Sequence, residues 1–252
     1  MITPTTQGAI YTNKELKFMR SHQGVLSYEN NITEKLNLKA EIYYQSLFDV
    51  PVEQRASSFS MLNTGANFAP IDNDSLQNTG TGFNYGLEIT LERTFQDGYY
   101  FLFTTSLFDS KYKGSDKVER NTAFNTNYVF NLLMGKEWKL KKNYVLVANI
   151  RTSVVGGKYV SPLDFEASKI KGEAVYNETI AYSERQTPYF RTDIKIGYRK
   201  DYKKSSLEFS LDLQNITNNK NIFQQTYNRR TNSIATQYQQ GFFPVPFVRY
   251  TF

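Results

Sequence analysis

In the run Phe190-Arg191-Thr192-Asp193-Ile194-Lys195-Ile196-Gly197-Tyr198-Arg199, apolar and ionic residues take turns. Phe190, Thr192, Ile194, Ile196 and Tyr198 fall on one side, and Arg191, Asp193, Lys195 and Arg199 on the other. Successive side chains of a strand point to opposite faces, so the segment reads as a strand with one greasy and one charged face. The same split recurs at Phe83, Tyr85, Leu87, Ile89 and Leu91 against Asn84, Glu88, Thr90 and Glu92. It recurs again at Leu207, Phe209, Leu211 and Leu213 against Glu208, Ser210, Asp212 and Gln214, and at Leu38, Ala40, Ile42 and Tyr44 against Lys39, Glu41, Tyr43 and Gln45. Residues 99–107, 127–134 and 144–151 alternate less cleanly. Period two runs from about residue 17 to the last residue without a helical stretch, which predicts an all-β chain of about nine strands. Residues 1–16 are expected to be a loop segment ahead of the first strand, and 17–252 the strand-bearing part.

The connections alternate in length. Brief turns at 31–35, 96–98, 140–143 and 201–204 separate long stretches at 50–81, 110–122, 156–187 and 217–240. Asp97-Gly98 between two alternating runs is the strongest hairpin signal, because a tight reversal takes positive φ, which Gly adopts without strain. Short turns on one rim and long loops on the other predict an antiparallel up-and-down transmembrane barrel; a soluble sandwich has short connections at both ends. No run approaches the roughly 20 apolar residues of a membrane-crossing helix, so a membrane reading means strands. The chain is polar, with mean hydropathy -0.54, yet it holds 19 Tyr and 19 Phe. Beside the short turns stand Phe95, Tyr99, Tyr100, Trp138, Tyr144, Tyr198, Tyr202 and Phe252; beside the long loops stand Phe83, Tyr112, Phe124, Tyr128, Phe190, Phe242 and Phe243. Two interfacial girdles would have that placement. Tyr and Phe also favour strands in soluble cores, but charges on the polar faces are too frequent for such a core.

Other chemistry finds little support. The absence of Cys excludes disulfides, thiolate metal sites and cysteine nucleophiles. The net charge is +6, but basic residues are scattered among 24 acidic ones, and no nucleic-acid partner is expected. His22 is the single histidine and has no nucleophile motif with it, so it reads as a strand residue and the chain as no enzyme. Asp72-Asn73-Asp74-Ser75 begins like a calcium loop, but Leu76 and Gln77 stand where a ligand and the turn glycine belong. Gly156-Gly157-Lys158 lacks the upstream glycine of a phosphate loop and reads as a strand entering a loop. Glu88 and Glu92 share a strand face about 13 Å apart, too far for an acid/base pair. They are expected to be lumen charges, paired with Lys39 or other basic residues. The Asn-x-Thr triplets at Asn31, Asn177 and Asn215 receive no role. No cofactor or metal is expected.

The chain ends Val248-Arg249-Tyr250-Thr251-Phe252. Val248, Tyr250 and Phe252, at alternate positions with a terminal Phe, resemble the barrel-assembly signal of bacterial outer-membrane proteins. Ser106-Leu107-Phe108-Asp109-Ser110-Lys111-Tyr112, Asn121-Thr122-Ala123-Phe124-Asn125, Asp212-Leu213-Gln214-Asn215-Ile216-Thr217-Asn218 and Gly241-Phe242-Phe243-Pro244 resemble the C-terminal barrel strands of TonB-dependent receptor-like proteins common in Bacteroidota. The resemblance covers essentially the whole chain and names no substrate. It implies a bacterial outer-membrane location, a 22-stranded barrel with an N-terminal plug and TonB-contacting segment, and active uptake of scarce large solutes. The implied partners are outer-membrane lipid, the barrel-assembly machinery and, through N-terminal parts this sequence lacks, the TonB system. A passive porin, a small structural barrel and a soluble β-rich binding protein are the alternatives.

Residues 1–7 have neither the basic start nor the apolar stretch of a secretory signal, so an exported protein beginning this way is truncated or mature. Nine strands are also an odd count, whereas single-chain bacterial barrels normally have an even one. The expectation is an incomplete antiparallel wall, a fragment with its first and last strands as open edges. Pro244 and Pro246 interrupt one hydrogen-bonding side of the last strand, and pairing there is expected to begin after them.

Overall fold

The computed structural model describes residues 2–5, 8–65 and 75–252, with side chains from Thr12 onward. The candidate calcium residues Asp72, Asn73 and Asp74 lie outside the described residues. Among the described residues, nine long strands follow one another in chain order across one antiparallel sheet, with shorter strands in the connections between them. The nine are β1 (Arg20–Thr33), β2 (Leu36–Glu53), β3 (Leu76–Gln96), β4 (Tyr99–Lys113), β5 (Tyr128–Lys139), β6 (Tyr144–Val155), β7 (Tyr189–Asp201), β8 (Ser206–Gln214) and β9 (Phe243–Thr251). The short strand Glu119–Asn121 adds to the long-loop end of β4. This is the all-β, up-and-down architecture that the alternation predicts, and the three less regular segments are β4, β5 and β6.

The rims differ as expected. Asp97 at φ 57 and Gly98 at φ 81 turn β3 into β4, and the Asp97 carboxylate accepts from Lys35 Nζ at 2.9 Å and Arg93 Nη2 at 3.1 Å. Lys142 and Asn143, also at positive φ, turn β5 into β6. The connections 54–75, 114–127, 156–188 and 215–242 all leave from the opposite rim.

Three expectations are corrected. Residues 1–16 are not all loop, because Ile2–Thr5 pairs with Gly8–Tyr11 in a separate hairpin. A helix, α1 (Phe165–Lys171), lies within 156–188. Its ends carry ordinary signals: the Asp164 side chain accepts from Ala167 N at 2.9 Å, and Gly172 closes the helix at φ 75. Seven residues are too short for a period of 3.6 to show against the strand pattern. Finally, β9 pairs with β8 through both prolines as far as Phe243, with Pro244 opposite Leu213 and Pro246 opposite Leu211. Because β9 ends the sheet, a proline whose nitrogen faces the free side costs no ladder bond.

The register keeps the two faces separate across the sheet. Ile42, Leu87 and Leu107 lie side by side, as do Met134, Ile150, Ile194 and Leu213. This apolar face is bare: Ile42 is 52% exposed, Ile196 50% and Phe209 55%. A sheet in water hides such a face, so the exposure marks a surface made for an apolar surrounding. Most of the buried apolar side chains lie instead toward the long loops, where Val50, Val52, Leu76 and Tyr112 are nearly sealed, while Val145 and Val147 are buried on the polar face near the short turns.

Candidate functional site

The polar face is a wall of paired charges. Lys195 Nζ lies 3.0 Å from Glu208 Oε1. Arg199 grips Glu137 through two nitrogens at 2.9 and 3.1 Å and Asp201 at 2.9 Å. Asp193 accepts from Arg191 Nε at 2.7 Å, from Arg151, and from the Asn215 amide at 2.8 Å. The expected Lys39–Glu88 pair is not made. Lys39 meets Glu41 at 2.7 Å, the carboxylate two residues along its own strand, while Glu88 stands opposite Glu41 and accepts from Ser106 at 3.4 Å. Tyr100 also departs from expectation, since it points to this face rather than to a girdle. Its ring lies against Gly135, where a Cβ would be 2.2 Å away, and its hydroxyl donates to Asn149 Oδ1 at 3.0 Å. Tyr112 shares that parity and is buried.

On the apolar face, two rows bound a charge-free band. Phe83, Tyr128 and Phe190 stand toward the long loops, and Arg93, Lys136 and Lys200 toward the short turns. Tyr128 is level with Leu87, four residues past Phe83; Phe190 is level with Phe130, two past Tyr128. Likewise, Arg93 is level with Met134, two short of Lys136, and Lys136 with Ile196, four short of Lys200. Both rows therefore drift about 1.5 residues per strand. With a rise of about 3.3 Å and a strand spacing of about 4.8 Å, that slope is about 45°, the tilt of membrane-barrel strands. The ten residues from Phe83 to Arg93 then span about 23 Å in height, against about 25 Å for the apolar band of such barrels.

Over the long-loop rim, three connections enclose a cavity of about 820 Å³ lined by residues of 53–65, by Asp116, Val118 and Arg120, and by Glu178, Thr179 and Tyr182. Arg120 clamps Asp116 at 2.7 and 3.0 Å and donates to Thr179 O at 3.3 Å. Burial raises the Asp116 carboxyl, but the bonds and charge of Arg120 together with backbone amide bonds outweigh it and hold the group below its usual range; Asp116 in turn raises the Arg120 guanidinium. Ser58 Oγ donates to Glu178 Oε2 at 2.6 Å, and Tyr112 OH to Ser58 O at 2.9 Å. Burial raises the Tyr182 phenol to about 12, so it stays neutral and meets Tyr112 edge-on at 6.0 Å. With these charges engaged, Ser57, Ser60 and Thr64 add hydroxyls to the lining. A second cavity of about 360 Å³ lies where Leu62, Thr122 and Phe124 of the loops meet Gln23, Tyr43 and Asn84 of the polar wall. Phe124 thus faces this cavity.

The remaining sequence candidates disperse. Val248 and Tyr250 are exposed along the apolar face of β9, and the Tyr250 ring lies 6.3 Å from Phe252. The His22 ring stacks on Phe48 at 4.9 Å. Gly156 and Gly157 follow β6 as a strand enters a loop. A Cβ there would meet Thr126 O and Gln186 O at 1.8 and 1.7 Å, so the pair permits close backbone approach. Among the described residues, no group of three His, Asp or Glu side chains could hold a metal. Sequence reasoning missed Asp116, Arg120, Glu178 and Tyr182, whose only local signal is the four-residue Asp116–Arg120 spacing.

No family model matches the chain, and no curated protein does. Solved structures do match in fold. The chain is similar to the ferric yersiniabactin uptake receptor FyuA from Yersinia pestis, with a TM-score of 0.62 at 14% identity over 92% of this chain and 30% of the receptor. It is also similar to the Ferric-Catecholate import receptor Fiu from E. coli K12, with a TM-score of 0.59 at 13% identity over 94% of this chain and 28% of that one. The chain thus spans less than a third of either receptor.

Proposed function

We propose that the chain is a nine-strand sector, the C-terminal barrel portion, of a TonB-dependent receptor of the Bacteroidota kind in the bacterial outer membrane. It serves active uptake of a solute that enters at the long-loop cavity and passes along the polar wall. The observation that carries this reading is the pair of parallel, tilted rows bounding an apolar band of membrane height on one face, with charges and cavities on the other. The likeness to two uptake receptors over nearly the whole chain supports it. Both end strands have a free edge, which lipid cannot satisfy, so further strands complete the wall. Val248, Tyr250 and Phe252 are proposed as the assembly signal, and the TonB system is reached through other parts of the receptor. A cavity of about 820 Å³ suits a solute of drug size or larger.

The absence of native Cys permits a direct test by single substitutions in the complete receptor. Ala56→Cys, exposed in the cavity lining, and Ser106→Cys on the polar wall should react with a water-soluble maleimide in membranes, while Leu107→Cys should not. A cognate solute should slow the reaction at Ala56→Cys. Equal labelling of the two neighbours 106 and 107 in intact membranes would end the lumen-and-lipid assignment.

A further inference from the structure

We infer that the short-turn rim from β5 to β8 is a docking surface for the phosphate headgroup of anionic membrane phospholipids. This rests on the membrane reading above and adds a partner to it. Lys136 and Lys200 project on the apolar face at the lower border of the charge-free band. Each lies against aromatic rings: Lys136 Nζ is 5.4 Å from the Trp138 centroid, and Lys200 Nζ is 5.1 Å from both Tyr144 and Tyr202. Tyr144 stacks on Tyr198 at 5.0 Å, which fixes the ring beneath Lys200. Lys141, Lys142, Lys203 and Lys204 extend the positive charge along two adjoining turns and are exposed.

The counter-charge is missing on this side. Glu137 and Asp201, the carboxylates of these strand ends, have the opposite parity and are both taken by Arg199. Among the described residues, none of the six lysines has an ion pair. Arg93, the third cation of the row, differs because Asp97 holds it. An unpaired ammonium between aromatic rings at the edge of an apolar band meets lipid where chains give way to headgroups, and a phosphate is the anion found there. The ring contacts keep each ammonium at that level at little cost in side-chain freedom.

Trp138 is the single tryptophan of the chain and lies inside the patch, so it reports on the lipid beside it. The complete receptor, with any tryptophan outside this chain replaced by phenylalanine, is reconstituted in phosphatidylcholine vesicles with a minor share of phosphatidylglycerol, and bromine is carried on the acyl chains of one lipid or the other. Brominated phosphatidylglycerol is expected to quench Trp138 well beyond its bulk share. The double substitution Lys136→Gln, Lys200→Gln should cut that excess about fivefold for each lysine removed, while Lys158→Gln on the other rim leaves it unchanged. Quenching in proportion to bulk share overturns the headgroup site alone. An excess that survives the double substitution overturns the assignment to these lysines. If neither lipid quenches Trp138, the membrane reading falls with it.

Discussion

Asn215 is fully buried at φ 46, a conformation that Asn tolerates better than other residues with a side chain. Its Nδ2 donates to Asn219 O at 2.9 Å and Gln240 O at 3.2 Å, and so ties together the two ends of the 215–242 connection. Its amide caps Asp193 of β7. Asn215→Gly keeps the backbone and should cost about 2 kcal/mol through the lost side-chain bonds. Asn215→Ala should cost roughly 1 kcal/mol more through the strained φ. Amide exchange across 215–242 checks the order; protection equal to wild type in both variants would remove Asn215 as the tie. The sequence presents the residue as one of three unassigned Asn-x-Thr triplets. Its partners are up to 25 positions away, which no local pattern can reveal.

At the scale of one element, β7 carries the clearest alternation, and its apolar side was legible residue by residue. Ile194 lies between the rows, four residues from Phe190 and six from Lys200. Ile194→Arg should therefore cost about 2 to 4 kcal/mol, while Ser106→Arg, facing the polar side beside Glu88, should assemble normally. Heat-modifiable migration of the membrane-assembled protein reads the difference, and equal defects would contradict the face assignment. Parity is less informative about single polar residues. By alternation alone, Lys195→Ser would be tolerated. The ion pair with Glu208, whose side chain is 9% exposed, makes the substitution strand a buried carboxylate.

Over the whole molecule, the asymmetry between rims sets an orientation. With the long loops outside the cell, protease added to intact cells bearing the complete receptor should cut within 54–65 or 156–188 and spare the turns at 97–98 and 202–205. Cleavage at the turns alone would reverse the assignment. The two edges belong to this scale as well. β1 and β9 lie at opposite ends of the sheet, and Pro244 and Pro246 fit within β9 because it has a neighbour on one side only.

The order of residues along the chain dictates what is periodic or immediately local: strand against loop, one face against the other, the Asp97-Gly98 reversal, and which rim has long connections. Side-chain parity and turn conformation depend on residues one to four apart, so they are written along the chain. What depends on the offset between strands emerges from the folded sheet. The register makes the rows slope, pairs Lys195 with Glu208 rather than Lys39 with Glu88, and turns Tyr100 onto Gly135. It also brings Ser58, Arg120 and Glu178 around one cavity from three connections. Pairing energies of this kind are set by distance in space, and residues 120 positions apart, such as Ser58 and Glu178, share no signal in sequence.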